Sequence, residues 1–302
     1  MNLEDLNILA YEAFIRRAAE LNLPFMLKGS FLTRQYFPDP QNRTPRDLDW
    51  LYLKPIDNLA DSKHIFDNWT TQVSNLTIHD GVKFRSFSEN AFWRRIEYAM
   101  SDDFPTVNTD LLCWVDGEVF NYFSMDISFN LDIEVPPTPL LYKPMRGEPF
   151  TIAYTTPIAL QVAWKIHQTL VRPRFKDLFD LIYLVQHPSF DEEALSEMLQ
   201  ALINECAVDK VEMQKVVWFL KYEFERLFPT VDTGLEWQEW RFDGYSDLAI
   251  LIMSEPMYDQ LPNTYEAFKM ILSETLYMAG ISVDLIYSGK IPQPNRSKRR
   301  IG

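Results

Sequence analysis

Leu27-Lys28-Gly29-Ser30, followed after a helix-like stretch by Arg46-Asp47-Leu48-Asp49-Trp50, decides how this chain folds. Pro24-Phe25-Met26-Leu27-Lys28 is short and largely apolar, opened by a proline and closed by Gly29, which predicts a buried strand. Ser30 is suited to cap a helix over 31–37, which Pro38 would stop. A strand that runs through Gly-Ser into a helix start leaves backbone N–H groups unpaired, a seat for phosphate. If 47–53 is a strand, Asp47 and Asp49 share one face while Leu48, Trp50 and Tyr52 take the other. Two adjacent carboxylates repel unless a cation lies between them, and Mg²⁺ beside a triphosphate favours such oxygen ligands. Taken singly, each half is also compatible with a turn and a solvated strand end.

The order strand, Gly-Ser, helix, carboxylate pair resembles the nucleotidyltransferase fold of the DNA polymerase β superfamily. The loop 38–45, Pro-Asp-Pro-Gln-Asn-Arg-Thr-Pro, is longer than that superfamily usually has. A third carboxylate sits on a nearby strand in the superfamily. Here, Asp116-Gly117 predicts a hairpin between strands at 111–115 and 119–129. On the second strand Phe123, Met125, Ile127 and Phe129 alternate with Ser124, Asp126 and Ser128, so Asp126 is the candidate. A solvent-facing Asp126 is the plain alternative, and Asp110 and Asp132 are competitors near the expected strand ends.

Elsewhere, Leu6, Ile8, Leu9, Phe14, Ile15 and Ala18 fall at helical spacing and predict an amphipathic helix over 3–21. A helix over 56–73 with Asp57 or Asn58 as its cap, a hairpin pairing 76–78 with 82–84, and a strand within 93–100 are expected next. Glu134-Val135-Pro136-Pro137-Thr138-Pro139 is a proline-rich connector. It places a boundary near residue 150, dividing a domain at 1–150 from a helical one at 151–302. Helices are expected near 156–171, 174–187, 191–205, 208–228 and 261–279, with an irregular aromatic section at 237–245.

Thr155-Thr156-Pro157 predicts a helix start, with a Thr cap and proline at the first position. Lys165 lies one turn after Gln161 on that helix, which stops near Arg172-Pro173. In the next, Asp177 and Asp180 are three apart and share a face opposite Phe175, Leu178, Phe179 and Ile182. A tight helical hairpin brings Lys165 to these carboxylates, either as part of a site or as an ion pair that ties the helices together.

The set from Leu27-Lys28-Gly29-Ser30 and the Asp47/Asp49 strand to Lys165 and Lys176-Asp177-x-x-Asp180-Leu181 resembles the AbiEii/AbiGii (MenT-like) family, the toxins of bacterial abortive-infection and toxin–antitoxin systems. Ser30 stands where many members carry a second glycine. The resemblance implies an α+β fold: a polymerase β-type domain with a mixed sheet flanked by helices, then a mainly helical region that completes the site. It implies transfer of a nucleotide from an NTP to an acceptor, with Asp47, Asp49 and Asp126 around Mg²⁺ or Mn²⁺. Gly29 and Ser30 would hold the triphosphate and Lys165 would neutralise it. Asp180 and Asp177 would orient the lysine, with Lys28 and Arg34 as further phosphate ligands. Members of the family add nucleotides to the acceptor end of tRNA, so tRNA is the expected acceptor and an antitoxin the expected partner. A small-molecule or protein acceptor with the same core, and a catalytically silent nucleotide-binding protein, are the alternatives.

Composition sets the outer bounds. The chain has 302 residues, 47% hydrophobic and 14% aromatic, which is the make-up of a packed globular protein. No apolar run is long enough for a bilayer, and no leader-like segment is seen, so a cytoplasmic protein is expected. Cys113 and Cys206 are too isolated for a disulfide framework or a thiolate metal site. The four histidines show no metal-ligand spacing, and the Trp and Tyr residues after 217 read as core. A net charge of −14 is awkward for a protein that binds nucleic acid. The one concentrated basic run, Arg296-Ser297-Lys298-Arg299-Arg300, is either a solvated tail or a segment that steers a polyanion.

Overall fold

The computed structural model describes residues 3–96, 105–229, 232–243, 249–289 and 291–294. Eight strands form one mixed sheet. They are β1 (Phe25–Lys28), β2 (Leu48–Tyr52), β3 (Val82–Phe84), β4 (Arg94–Ile96), β5 (Thr106–Val115), β6 (Glu118–Ser128), β7 (Thr138–Tyr142) and β8 (Phe150–Thr155). Their order is β3-β5-β6-β2-β1-β8-β7, with β4 also on β5. The pairs β2·β6 and β1·β8 are parallel and the others antiparallel. This is the α+β architecture the sequence predicts, a mixed sheet flanked by helices and followed by a mainly helical region.

Helices α1 (Leu3–Leu21) and α3 (Leu59–Asn75) are aromatic-rich on the side that meets the sheet. Phe14 of α1 meets Phe84, Phe123 and Trp69 edge-on, and Phe25 of β1 stacks on Trp69 at 3.9 Å. Trp50 is 1% exposed and crosses Trp69 at 5.3 Å. The apolar alternation of β2 and β6 is therefore spent on these helices, which leaves Asp49, Asp126, Ser124 and Ser128 for the opposite face. Asn58 caps α3 by accepting from Ala60 N. The β5–β6 hairpin turns at Asp116 and Gly117, both with positive φ, as Asp-Gly predicts.

Beyond the sheet, α4 (Ile158–Val171), α5 (Phe175–Gln186) and α6 (Glu192–Val208) pack together, and a long helix Tyr265–Met278 lies against α5. The sheet continues past residue 150, since β8 runs to Thr155 and pairs with β1.

Several local expectations are corrected. Residues 76–78 are not a strand: α3 runs to Asn75, and β3 pairs with β5 instead. The helix expected over 208–228 stops at Leu220 because Tyr222 takes a φ of 60°. A helical turn at Thr233–Gln238, continued as a π-helix over Glu239–Asp243, replaces part of the irregular aromatic section. The strand expected in 93–100 is confined to Arg94–Ile96, and 97–100 and the basic run 296–300 lie outside the described residues.

Candidate active site

The site is built where the two motifs meet. In the antiparallel β1–β2 register Lys28 opposes Asp49, and in the parallel β2–β6 register Asp49 lies beside Asp126. Asp47 occupies a bend just before β2. The Lys28 ammonium donates to Asp49 Oδ1 at 3.2 Å, and the Ser30 hydroxyl donates to Asp47 Oδ1 at 3.3 Å. Gly29, not Ser30, is the N-cap of the short helix α2 (Ser30–Thr33), and no side chain caps it. The serine hydroxyl is committed to the carboxylate instead.

Gly29 has φ 72° and ψ −158°, a region that in practice only glycine occupies. A Cβ placed there would stand 2.0 Å from Asp49 Oδ2, so that carboxylate lies directly on the Gly29 backbone. Gly29→Ala is therefore expected to push Asp49 out of position and to destabilise the chain by about 1–3 kcal/mol. Denaturant unfolding and a transfer assay on the same preparation would check it; an alanine variant with wild-type activity would show that this contact is dispensable.

The helical side is brought in by β8. Thr156 does not cap α4; Pro157 is its N-cap, and Thr156 N and Oγ1 both donate to Leu27 O. Gln161 donates to Thr156 O and accepts from Thr33 Oγ1, linking α2 to α4. The α4 face carrying Gln161, Trp164, Lys165, Gln168 and Arg172 then closes over the carboxylates. The result is a cleft of about 280 Å³ with Lys28, Gly29, Ser30, Asp47 and Asp49 on the sheet side. Lys165, Arg174, Lys176 and Asp177 lie on the helical side.

The electrostatics divide the cleft. Asp47 is exposed at the mouth, yet protein surrounds it closely. Desolvation, then the charge of Asp49, pushes its carboxyl up to about 6, against the pull of Lys176 and Lys28. Lys165 Nζ donates to Asp180 Oδ2 at 2.7 Å and to Asp177 Oδ1 at 3.2 Å. Burial alone would raise Asp180, but Arg43 and then Lys165 outweigh it and hold the carboxyl down at about 2. Asp177 is lowered too, since Lys165, Arg174 and Lys176 overcome its desolvation.

Asp47, Asp49, Gly29, Ser30, Lys28, Lys165 and Asp177 thus line one cleft. Asp180 stands behind it, wholly buried, in contact with Lys165. Asp126 is 5% exposed behind Asp49 and accepts from Asn108 Nδ2 at 2.6 Å. Among the described residues no group of three or more His, Cys, Asp or Glu side chains is arranged to hold a metal ion, while Asp126 lies beside Asp49 in the β2–β6 register and its charge acts on Asp47. A pair of carboxylates that repel each other, open to a cleft with room for water and phosphate oxygens, still fits Mg²⁺, which binds through one or two carboxylates and keeps other oxygen ligands.

Arg34 is a correction. It is 1% exposed, donates to Pro40 O and pairs with Glu12, and it does not reach the cleft. Arg43, which sequence patterns did not single out, does reach it, and chelates Asp180 with Nε at 2.8 Å and Nη2 at 3.2 Å. No motif marks it, because its partner is 137 residues away. Among the described residues no helix is long and apolar enough to cross a membrane.

No curated protein matches the sequence. Among solved structures, MenT4, a nucleotidyltransferase toxin from Mycobacterium tuberculosis H37Rv, superposes with a TM-score of 0.51 at 11% identity, over 92% of this chain and 84% of that one. It is similar in fold. A candidate nucleotidyltransferase from Helicobacter pylori aligns over 93% of this chain and 97% of its own at 15% identity, with a TM-score of 0.46. The model of the family described as nucleotidyl transferase AbiEii toxin, type IV toxin–antitoxin system, matches residues 13–264, and the chain belongs to that family of nucleotidyltransferases.

Proposed function

We propose that this nucleotidyltransferase uses Mg²⁺ or Mn²⁺ to move an NMP from an NTP onto the 3′ end of tRNA. It would act as the cytoplasmic toxin of a toxin–antitoxin or abortive-infection system, with a cognate antitoxin as partner. The observation that carries the reading is the single cleft shared by Asp47, Asp49, the Gly29-Ser30 turn and Lys165. An acceptor hydroxyl attacks the α-phosphorus, the α–β bridging bond breaks, and pyrophosphate leaves. Asp47 and Asp49 are the residues that would hold the metal. When bound, it would favour ionisation of the acceptor hydroxyl and offset charge on the phosphates.

The chain's own residues do the rest. Gly29, lacking a Cβ, lets the Asp49 carboxylate lie against the turn that would receive the triphosphate, and Ser30 keeps Asp47 oriented. Lys28 offsets the charge of Asp49, and Asp126 adds negative charge behind it. Lys165 meets the phosphoryl tail, steadied by Asp180 and Asp177, so that little side-chain freedom is lost when substrate binds.

Charge in the cleft bears on the class of acceptor. Six side chains lining the cleft are basic and three acidic, in a chain whose net charge is −14. Arg172, Arg174 and Lys176 extend this basic wall from the phosphate position, which suits a nucleic-acid backbone. The acidic remainder of the surface favours the second reading, a small molecule or protein as acceptor.

Incubating the full chain with α-³²P-labelled NTPs and Mg²⁺, with total tRNA in one arm and protein or an aminoglycoside in the other, separates the two. Label is expected in tRNA only, and labelling should fall steeply between 50 and 200 mM salt. Label in the other arm alone would replace tRNA as the acceptor. Nucleotide binding with no transfer in any arm would point to a silent nucleotide-binding protein.

A further inference from the structure

The cleft holds more than phosphate ligands. Trp164 lies on α4 immediately before Lys165 and lines the same cleft, half-buried. Its indole Nε1 donates to Glu205 Oε1 of α6 at 3.4 Å, which anchors one edge of the ring. Among the described residues the other tryptophans all have their rings engaged. Trp50, Trp69, Trp93, Trp237 and Trp240 meet aromatic rings, while Lys83 lies over Trp114 and Arg226 over Trp218. Trp164 shows neither kind of partner among those residues.

An indole anchored at one edge, open to a cleft of about 280 Å³ and one residue from the lysine at the phosphates, has the features of a stacking platform. We infer that Trp164 is the nucleobase platform of this site: the base of the incoming NTP stacks on its ring while Lys165 and the Gly29-Ser30 turn hold the triphosphate. The inference rests on the nucleotidyl-transfer reading and deepens it. Gln161, the polar neighbour one turn earlier, has its amide engaged by Thr156 O and Thr33 Oγ1 and adds no base readout. Stacking tolerates any base, so Trp164 supplies affinity and placement rather than choice of NTP.

The test is equilibrium binding of ATP, CTP and inorganic tripolyphosphate, each with Mg²⁺, to the full chain by calorimetry. Wild type is compared with Trp164→Phe, Trp164→Ala and Lys165→Ala. Loss of a stacked base weakens binding about tenfold to a hundredfold. Trp164→Ala is expected to weaken both nucleotides by that much and Trp164→Phe by less than about threefold, with tripolyphosphate unchanged in both. Lys165→Ala is expected to weaken all three ligands.

If Trp164→Ala weakens tripolyphosphate as much as ATP, the tryptophan acts by packing around Lys165 and the inference is overturned. It is overturned equally if ATP and CTP bind the alanine variant as they bind wild type, including the case where only the KM for the acceptor rises and the ring belongs to the acceptor's base. If wild type binds neither nucleotides nor tripolyphosphate, the inference falls together with the transfer reading.

Discussion

A chain carrying Asp47→Ala and Asp49→Ala is expected to lose nucleotidyl transfer by about a thousandfold or more and to remain folded. A bound metal contributes several kcal/mol of charge stabilisation in such a reaction, and about 4 kcal/mol corresponds to three decades of rate. Stability should move the other way, because the pair is in mutual repulsion. Asp47 has its carboxyl raised to about 6 by burial and by Asp49. A carboxyl raised on folding binds more protons in the native than in the unfolded chain, so native stability falls as pH rises from about 4 through about 6.

The double variant lacks that decline. Its melting temperature should match or exceed that of wild type at pH 7, and Mg²⁺ should raise the melting temperature of wild type only. Below about pH 6 a proton on Asp47 competes with the cation, so the Mg²⁺ concentration needed for half-maximal transfer should rise as pH falls. In cells, expression of wild type should arrest growth and the variant should not. A double variant that still transfers, or a wild type whose melting temperature ignores Mg²⁺ from pH 5.5 to 7.5, would remove the two aspartates from the metal-binding role.

Much of this site could be read from the sequence because its determinants are local. Alternation along β2 and β6 fixes which side Asp49 and Asp126 face, whatever the strands pair with. Asp116-Gly117 sets the hairpin that carries Asp126, and the short 172–174 link forces α4 and α5 together, which puts Lys165 on Asp177 and Asp180. The misreadings have the opposite character, since each depends on a partner remote in the chain. Arg34 stands next to the Gly-Ser motif and reads as a phosphate ligand, but Glu12 claims it. A signal for that existed: Glu12 lies on the stripe of α1 that also carries Ile8 and Ile15, all buried, and a buried acid calls for a cation. Ser30 has the composition of a cap and acts as a donor to Asp47, a choice made only once β2 lies beside it. Trp164 sits in an apolar helix among many aromatics, and nothing in spacing separates it from core.

Arg43→Ala is expected to cost about 3–5 kcal/mol of stability, the range for removing one member of a buried ion pair. Arg43 is 3% exposed and Asp180 wholly buried, and their two-pronged contact is joined by bonds from Arg43 Nη1 to Thr44 O and Ile252 O. Thr44 N donates to Ile252 O and Ser254 N to Asn42 O, so the loop before Asp47 is clamped to the C-terminal region at the same point. The long loop 38–45 is thus the arm that carries Arg43 to α5. Without the guanidinium, Asp180 keeps one cation in contact, Lys165, which it shares with Asp177, whereas Asp177 also has Arg174.

Arg43→Lys should recover only part of the loss, because an ammonium cannot match the planar fork. A paired replacement, Arg43→Met with Asp180→Leu, should be less destabilised than Arg43→Ala, because it removes the charge that the single variant strands. Function separates the variants in another way. Lys165 loses its aim in Arg43→Ala and in the paired replacement alike, so both should show a raised KM for NTP, whatever their stability. Urea unfolding and NTP kinetics on the four proteins decide the matter. If the paired replacement is as unstable as Arg43→Ala, the cost lies in the clamp of Arg43 on Thr44 and Ile252 and not in the stranded carboxylate.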